Sequence, residues 1–148
     1  MKQHVLAGAM LAGLVSSPLF ALEHEVVIDH DGGMIAADYR GTITIRTTQT
    51  GAVGAAGRPS TLACRWTASL TVERAAKMAQ ALTSHRTLTS ENVVGGVRPG
   101  WCQTQSKAIA HLIDARRDSV RRTMMAMVDQ DRAALLAEAD GVAGSPRG

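Results

Sequence analysis

Aromatic side chains are scarce in this chain of 148 residues, which contains one Phe, one Tyr and two Trp. The core must therefore be built from Ala, Val, Ile, Leu and Met, and these side chains bury less apolar area than aromatic ones do. A single modest core is the expectation, because roughly 125 residues remain once an N-terminal leader is discounted.

An excess of charge is also missing, since the formal net charge is +3 and falls to +2 without Lys2. A charge this small does not predict a nucleic-acid partner or an acidic substrate. Four arginines cluster late in the chain, but no aromatic residue is interleaved with them, so base stacking is not predicted either. The cluster is most simply a solvated helix face, and the anionic partners left open for it are lipid head groups or polysaccharide of the envelope surface and an acidic protein.

Catalytic, metal and nucleotide motifs are absent from the sequence. Ser84-His85 has no Gly-x-Ser-x-Gly elbow around it, and His111 lies one step outside an apolar helical stripe. His24 and His30 would share one face of a strand while the neighbouring acidic residues take the other, which argues against a metal site. We therefore predict no catalytic residue, no metal and no cofactor.

The first residues have the layout of a secretory signal peptide. Lys2 gives a positive start, Val5–Val15 is apolar and uncharged, a Ser-Ser-Pro break follows, and Ala21 offers a small residue at the cleavage site. No cysteine follows the apolar run, and no later stretch reaches the ~20 apolar residues of a membrane span. We expect residues 1–21 to be removed and the mature protein to be periplasmic or secreted.

Only two cysteines occur, Cys64 and Cys102, and each has a tryptophan close by in Trp66 and Trp101. In an oxidising compartment two cysteines form a disulfide more often than a metal site, because zinc requires four ligands. The chain-entropy model gives such a bridge about 3–4 kcal/mol. The sequence therefore predicts a Cys64–Cys102 disulfide that joins a sheet to a helix.

Strand patterns fill the first two thirds of the mature chain. The clearest is Thr61–Glu73, where Cys64 and Trp66 fall on the apolar face of a strict alternation. A loop is predicted over 51–60, and Gly95–Gly96 indicates a bulge in the last strand. The other predicted strands are Leu22–Asp31, Tyr39–Thr50 and Thr87–Val97.

Residues 73–82 allow two interpretations. Their content of Glu, Arg, Ala, Lys, Met and Leu predicts a short helix. The alternative is that the strand before them simply continues into a long hairpin.

The longest predicted element is a C-terminal helix from Gln103 to Asp140, which Gly141 would end. Arg116–Arg117 and Asp129–Asp131 interrupt its apolar stripe, so a coiled coil is not predicted. An unbroken helix would be about 55 Å long, whereas a globule of this size is only about 36 Å across. The helix must therefore bend near Asp129–Asp131 or project beyond the sheet.

The predicted fold class is α+β, with a three- to four-stranded antiparallel sheet packed against one long C-terminal helix and one disulfide. Residues 22–140 would form a single domain, and residues 141–148 a disordered tail.

We expect a non-enzymatic, exported envelope protein that binds another macromolecule, or a second copy of itself, through the C-terminal helix. A projecting helix would expose adaptable methionine and leucine side chains, whereas a bent helix would bury them in the core of the monomer. The alternative function is a small periplasmic enzyme or an accessory subunit of an enzyme. The predicted binding residues are Met124, Met127, Val128, Leu135, Leu136, Arg117 and Arg121.

Overall fold

The computed structural model describes residues 21–78 and 82–144. The leader predicted over 1–21 therefore lies outside the described residues except for Ala21. Four strands are followed by a 3-10 turn and two helices: β1 Leu22–Ile28, β2 Ile35–Thr50, β3 Ala63–Lys77, β4 Thr83–Pro99, the 3-10 turn Cys102–Thr104, α1 Ser106–Asp114 and α2 Arg117–Ala143.

The strands form one antiparallel sheet in the order β1-β2-β3-β4, and both helices cover its apolar face. The predicted α+β architecture with a long C-terminal helix and one disulfide is confirmed. β2 pairs with β3 over the whole range from Ala36 to Thr50, but β1 pairs only with Ile35–Gly41. The second half of β2 therefore extends beyond the end of β1.

β3 supplies the centre of the core because its alternating side chains are buried on one face. Cys64, Trp66, Ala68, Leu70 and Val72 are at most 3% exposed, as the sequence pattern predicts. These side chains face the helices, where they pack with apolar residues of both helices, notably Ile109, Ile113, Val120, Met124 and Leu135.

The short helix predicted for residues 73–82 is wrong, because β3 continues to Lys77 and β4 begins at Thr83. The alternation of β3 also continues, so that Arg74, Ala76 and Met78 are buried while the residues between them are exposed. Good helix formers take up strand geometry here because pairing and burial outweigh their weak intrinsic preference. Residues 79–81 lie outside the described part of the chain.

The irregularity in β4 lies earlier than predicted. The register shifts between the pairs Ala68/Val94 and Leu70/Ser90, and Asn92 takes a positive φ of 53° there. Asparagine tolerates this left-handed conformation better than most residues do. Gly96 pairs regularly and is needed for another reason: a Cβ there would lie 3.1 Å from Nε1 of Trp66.

The helical region neither bends near Asp129–Asp131 nor projects, so both expectations for it are wrong. It is broken instead at Ala115–Arg116, one of the two places where the apolar stripe is interrupted. The break lets α1 and α2 cover different parts of the sheet. α2 also passes through Gly141 and ends at Ala143, so the predicted helix end is too early and the first residues of the predicted tail are helical. Residues 145–148 are not among the described ones.

The predicted disulfide between Cys64 and Cys102 is present, and it joins β3 to the 3-10 turn that precedes α1. Its two half-cystines are 38 residues apart in sequence. Within residues 21–78 and 82–144, no helix is long and apolar enough to cross a membrane.

Candidate functional site

The apolar residues predicted to bind a partner lie against the sheet. Met124, Met127, Val128 and Leu135 are between 0 and 9% exposed, and Leu136 packs against the same core while partly buried. This is the arrangement that the sequence left open as the alternative to a binding surface. Met124, Met127, Val128 and Leu135 are therefore core side chains in the folded monomer, whereas Leu136 keeps part of its surface exposed.

A buried ion pair joins α2 to the sheet. Nη1 of Arg74 donates a hydrogen bond of 2.8 Å to Oδ2 of Asp131, and both side chains are fully buried. The hydroxyl of Tyr39 donates to the same carboxylate oxygen over 3.0 Å. Arg86 brings Nη1 to 3.1 Å from Oδ1 of Asp131 as an ion pair. Three strand residues thus converge on one carboxylate of α2.

The second amino group of Arg74 extends this network to the end of α2. Nη2 of Arg74 donates to Oε2 of Glu138 over 2.7 Å and approaches the hydroxyl of Ser84 at 2.9 Å. Ser84 in turn donates to Glu138. A buried arginine that bonds two carboxylates in this way fixes α2 at one position on the sheet.

Charge and burial shift three pKa values in this network. Burial and the hydrogen bond to Asp131 raise the pKa of Tyr39 to about 12. Burial also disfavours the charged form of Glu138, but hydrogen bonds from Ser84 and Arg74 outweigh it and hold the pKa of Glu138 below its usual value. Burial alone would lower the pKa of Arg74, but its hydrogen bonds to the carboxylates of Glu138 and Asp131 outweigh that effect, and the pKa is raised. Tyr39, Arg74 and Glu138 therefore keep their usual charges at neutral pH.

Sequence reasoning missed this ion pair although a signal for it was present. Arg74 follows Leu70 and Val72 in the alternation of β3, and Asp131 lies in the apolar stripe of α2. A positive charge thus lies on the apolar face of β3, and a negative charge lies on the apolar face of α2. Two such interruptions predict a buried pair, since a single buried charge is too costly to keep.

The candidate nucleophile and bases from the sequence lie apart. Ser84 faces the helices and is bound to Glu138, whereas His85, the next residue along the strand, is exposed on the opposite face. His111 is exposed on α1. A triad requires its members within hydrogen-bond distance, so these residues cannot act together. In the described ranges, no group of three or more His, Cys, Asp and Glu side chains could hold a metal.

The face of the sheet that points away from the helices carries an open concavity of about 730 Å³. Its exposed acidic side chains are Glu23, Glu25, Asp38 and Glu73, with His85 alongside. Arg40 contributes one positive charge and lies 3.4 Å from Glu23. Tyr39 and Arg74 also line the concavity but are buried, so its accessible charged groups are exposed side chains in contact with solvent.

A second candidate surface, the open strand edge together with the pocket beside it, lies where β2 extends beyond β1, and we call it the edge groove. Its wall is the backbone of Thr42–Thr50, which has no strand partner on that side among the described residues. About four or five of these nine residues direct both N–H and C=O outward, because these groups alternate in an antiparallel strand.

The helix side of the edge groove contains a small pocket of about 150 Å³. Leu22, Ile43, Ile113 and Val120 form its apolar lining, and the predicted binding residues Arg117 and Arg121 extend the lining from the start of α2. Both arginines are exposed. Arg117 also forms an ion pair of 2.8 Å with Asp114. The pocket therefore combines an apolar floor with a positive border.

Positive charge continues on the other side of the edge groove. Arg46 lies at its centre and Arg65 beside it, since Arg65 pairs with Thr48 across the sheet. Both side chains are exposed, and neither forms an ion pair with any residue in the described part of the chain. Arg121 is equally unpaired there. The edge groove is thus bordered by Arg46 and Arg65 on one face and by Arg121 on the other, and these three have no carboxylate partner within residues 21–78 and 82–144.

Comparisons with protein families, with curated proteins and with solved structures found no match for this chain. The assignment of a site therefore rests on the geometry alone. The edge groove is the candidate functional site, because it combines an apolar pocket with a strand edge and arginines that lack partners within the part of the chain that the structure describes.

Proposed function

We propose that this protein is an exported, non-enzymatic binding module that holds another macromolecule in the edge groove. The observation that carries the proposal is the nine-residue edge of β2, Thr42–Thr50, which has no strand partner among the described residues. An exposed edge of this length is a template for association unless the protein blocks it. Its threonines and isoleucines favour strand pairing.

The other edges of the sheet are less suited to a partner. β1 has only seven residues, and its exposed face carries Glu23 and Glu25. β4 is longer but contains the bulge at Asn92, and bulges protect edges by twisting the strand. A pocket also lies beside β1, lined by Val26, Ile28 and Val128, but its charged lining mixes Glu25 and Asp129 with Arg132, so it has no uniformly positive border. The edge groove is therefore the favoured surface.

The C-terminal helix contributes to this function through its first turns. Arg117 and Arg121 border the pocket, and Val120 lies in its floor. The apolar residues farther along α2 support the groove from inside the core, because they hold the helix on the sheet. The sequence predicted that the C-terminal helix binds the partner. We keep that proposal for Arg117 and Arg121, and we propose the β2 edge in place of the apolar residues of the helix.

Export is part of the proposal and is supported by two observations. The N-terminal residues have the pattern of a signal peptide, and the chain contains a disulfide, which persists in oxidising compartments. A small exported protein with a groove for a macromolecule is an adaptor or accessory component rather than a free-standing catalyst.

Site-specific photo-crosslinking in the compartment where the protein accumulates tests this function. A photoreactive amino acid at Thr44 or Arg121 should give a product of discrete mass, whereas the same group at Thr87, exposed on β4, should give none. Products of equal yield from all three positions, or none from Thr44 and Arg121, would overturn the proposal. A product at the groove positions supports macromolecular binding whatever the chemical nature of the partner.

A further inference from the structure

We infer that the edge groove accepts an extended polypeptide segment, bearing acidic side chains, as an additional strand antiparallel to β2. This inference rests on the proposed function and adds the mode of binding and the chemistry of the partner. β1 begins at Leu22, opposite Gly41, so a separate strand placed in line with β1 on the far side of Leu22 would face Thr42–Thr50.

The backbone determines the mode of binding. Solvent satisfies the outward N–H and C=O groups along about 30 Å of β2 in the free protein, and among macromolecular ligands another extended backbone is the one that can pair with all of them at once. Strand addition of this kind supplies affinity through main-chain hydrogen bonds and specificity through alternate side chains. A compact ligand or a helix could reach only a few of these groups. The partner must therefore present an extended segment.

The two faces of the groove determine the side-chain pattern of that segment. On the helix side, the residue opposite Ile43 would enter the pocket floored by Ile113 and Val120, so an apolar side chain fits there. On the opposite face, the residue beside Arg46 would lie in solvent, within reach of Arg65. Alternation of apolar and acidic residues in the partner satisfies both faces.

Charge complementarity identifies the outer side chains as acidic. Arg46, Arg65 and Arg121 lack ion-pair partners within the described residues, and the pocket lining contains no carboxylate. The acidic residues nearest to this border in sequence are Asp114 and Asp118, which line an adjoining concavity together with Arg117. Asp114 pairs with Arg117, so the charge argument rests on Arg46, Arg65 and Arg121. Complementary charge accelerates association and excludes basic partners.

A second copy of this chain is disfavoured as the occupant. If two β2 edges paired antiparallel with at least about seven residues of overlap, the two Arg46 side chains would come within two positions of each other on one face. Like charges in that arrangement repel. The charge on the edge thus acts against self-association while attracting an acidic strand.

The probe for this inference is a nine-residue synthetic peptide in which valine and glutamate alternate. Its binding to the protein, purified in the form that accumulates after export, is measured by fluorescence anisotropy at low and high salt. We expect saturable binding that weakens as salt rises, because exposed ion pairs are screened. A peptide with lysine in place of glutamate should not bind.

Backbone methylation distinguishes strand addition from simple charge attraction. In a paired strand only alternate amides face the neighbouring strand. Methylation of either the valine or the glutamate amides should therefore abolish binding in one series and spare it in the other. Equal binding of the two methylated series and the parent peptide would overturn the inference.

Charge reversal maps the binding to the edge groove. Arg46→Glu should weaken the affinity about tenfold, since an attraction becomes a repulsion. Arg132→Glu is the matched control, because Arg132 is exposed on α2 beside β1 and changes the net charge equally. The inference would be contradicted if both variants lost affinity for the peptide equally, or if the wild-type protein did not bind the peptide at all. Crosslinks from Thr44 to a polysaccharide or to a second copy would also contradict it while leaving the proposed function intact.

Discussion

Arg74 of β3 and Asp131 of α2, separated by 57 residues in sequence, meet inside the core with Nη1 and Oδ2 2.8 Å apart. This contact explains why the interruption of the helical stripe at Asp131 does not bend the helix. The carboxylate of Asp131 faces the core and binds Arg74, so the helix does not have to bend to expose it to solvent. The ion pair fixes α2 on the sheet and so positions Arg117 and Arg121 at the edge groove.

Removal of Asp131 should destabilise the protein strongly. Asp131→Ala leaves the guanidinium of Arg74 buried without its main counter-charge, and breaking a buried pair costs about 3–5 kcal/mol. We expect the lower end of that range, because Glu138 still bonds Arg74. Urea unfolding measures the loss.

Two further variants separate charge from packing at this site. Asp129→Ala, at an exposed position on the same helix, should change the free energy of unfolding by less than about 0.5 kcal/mol. The double variant Arg74→Leu with Asp131→Leu should recover part of the loss, since no unpaired charge remains between them. A double variant less stable than Asp131→Ala would show that the network does more than neutralise a buried charge.

Glu138 should make stability depend on pH. Its pKa is lower in the folded protein than the ordinary value of 4.5, so folding favours the ionised form. The resulting stabilisation is fully present above about pH 4.5 and is lost as the pH falls through the lower folded-state pKa. Glu138→Gln should therefore reduce stability at pH 7, and the difference from the wild type should shrink by pH 3. A difference that stays constant over this range would contradict the assigned shift.

The disulfide should contribute a large share of the total stability. Cys64→Ser should lower the free energy of unfolding by about 3–4 kcal/mol by the chain-entropy account, and Cys102→Ser should do the same. The double variant should resemble either single one, because all three lack the same bond. Thiol titration of the denatured, unreduced wild type should find no free thiol.

Alternation made the sheet predictable from sequence. Cys64, Trp66 and Leu70 recur on one face of β3 at a spacing of two, and this pattern alone locates the core and the half-cystine. The disulfide followed because only one pairing exists for two cysteines. The fold class could be read from these local patterns together with the helical spacing that follows them.

The rest depended on contacts distant in sequence. Residues 73–82 resemble a helix in composition, and only the pairing with β4 and the burial of Arg74 hold the first part of them in a strand. The edge groove depends on where β1 ends relative to β2, which is a matter of register rather than composition. Single-sequence patterns carry no register between strands, so the groove could not be foreseen.

The exported protein should begin at or immediately before Leu22. Leu22 is only 7% exposed and pairs with Gly41, so cleavage beyond it would remove a core side chain. The predicted cleavage after Ala21 leaves the strand complete. Intact-mass measurement of the exported chain identifies the start, and recovery of the full-length chain from the membrane fraction would contradict removal of the leader.

Hydrogen exchange followed by NMR at each backbone amide tests the role of the edge groove most directly. In the isolated protein, alternate amides of Thr42–Thr50 should exchange rapidly, whereas the amides of β3 should exchange slowly because both sides of that strand are paired. Addition of the valine–glutamate peptide at saturating concentration should slow the rapidly exchanging amides and leave those of β4 unchanged. The account is contradicted if these amides are already protected in the isolated protein, or if the bound peptide leaves their exchange unaltered.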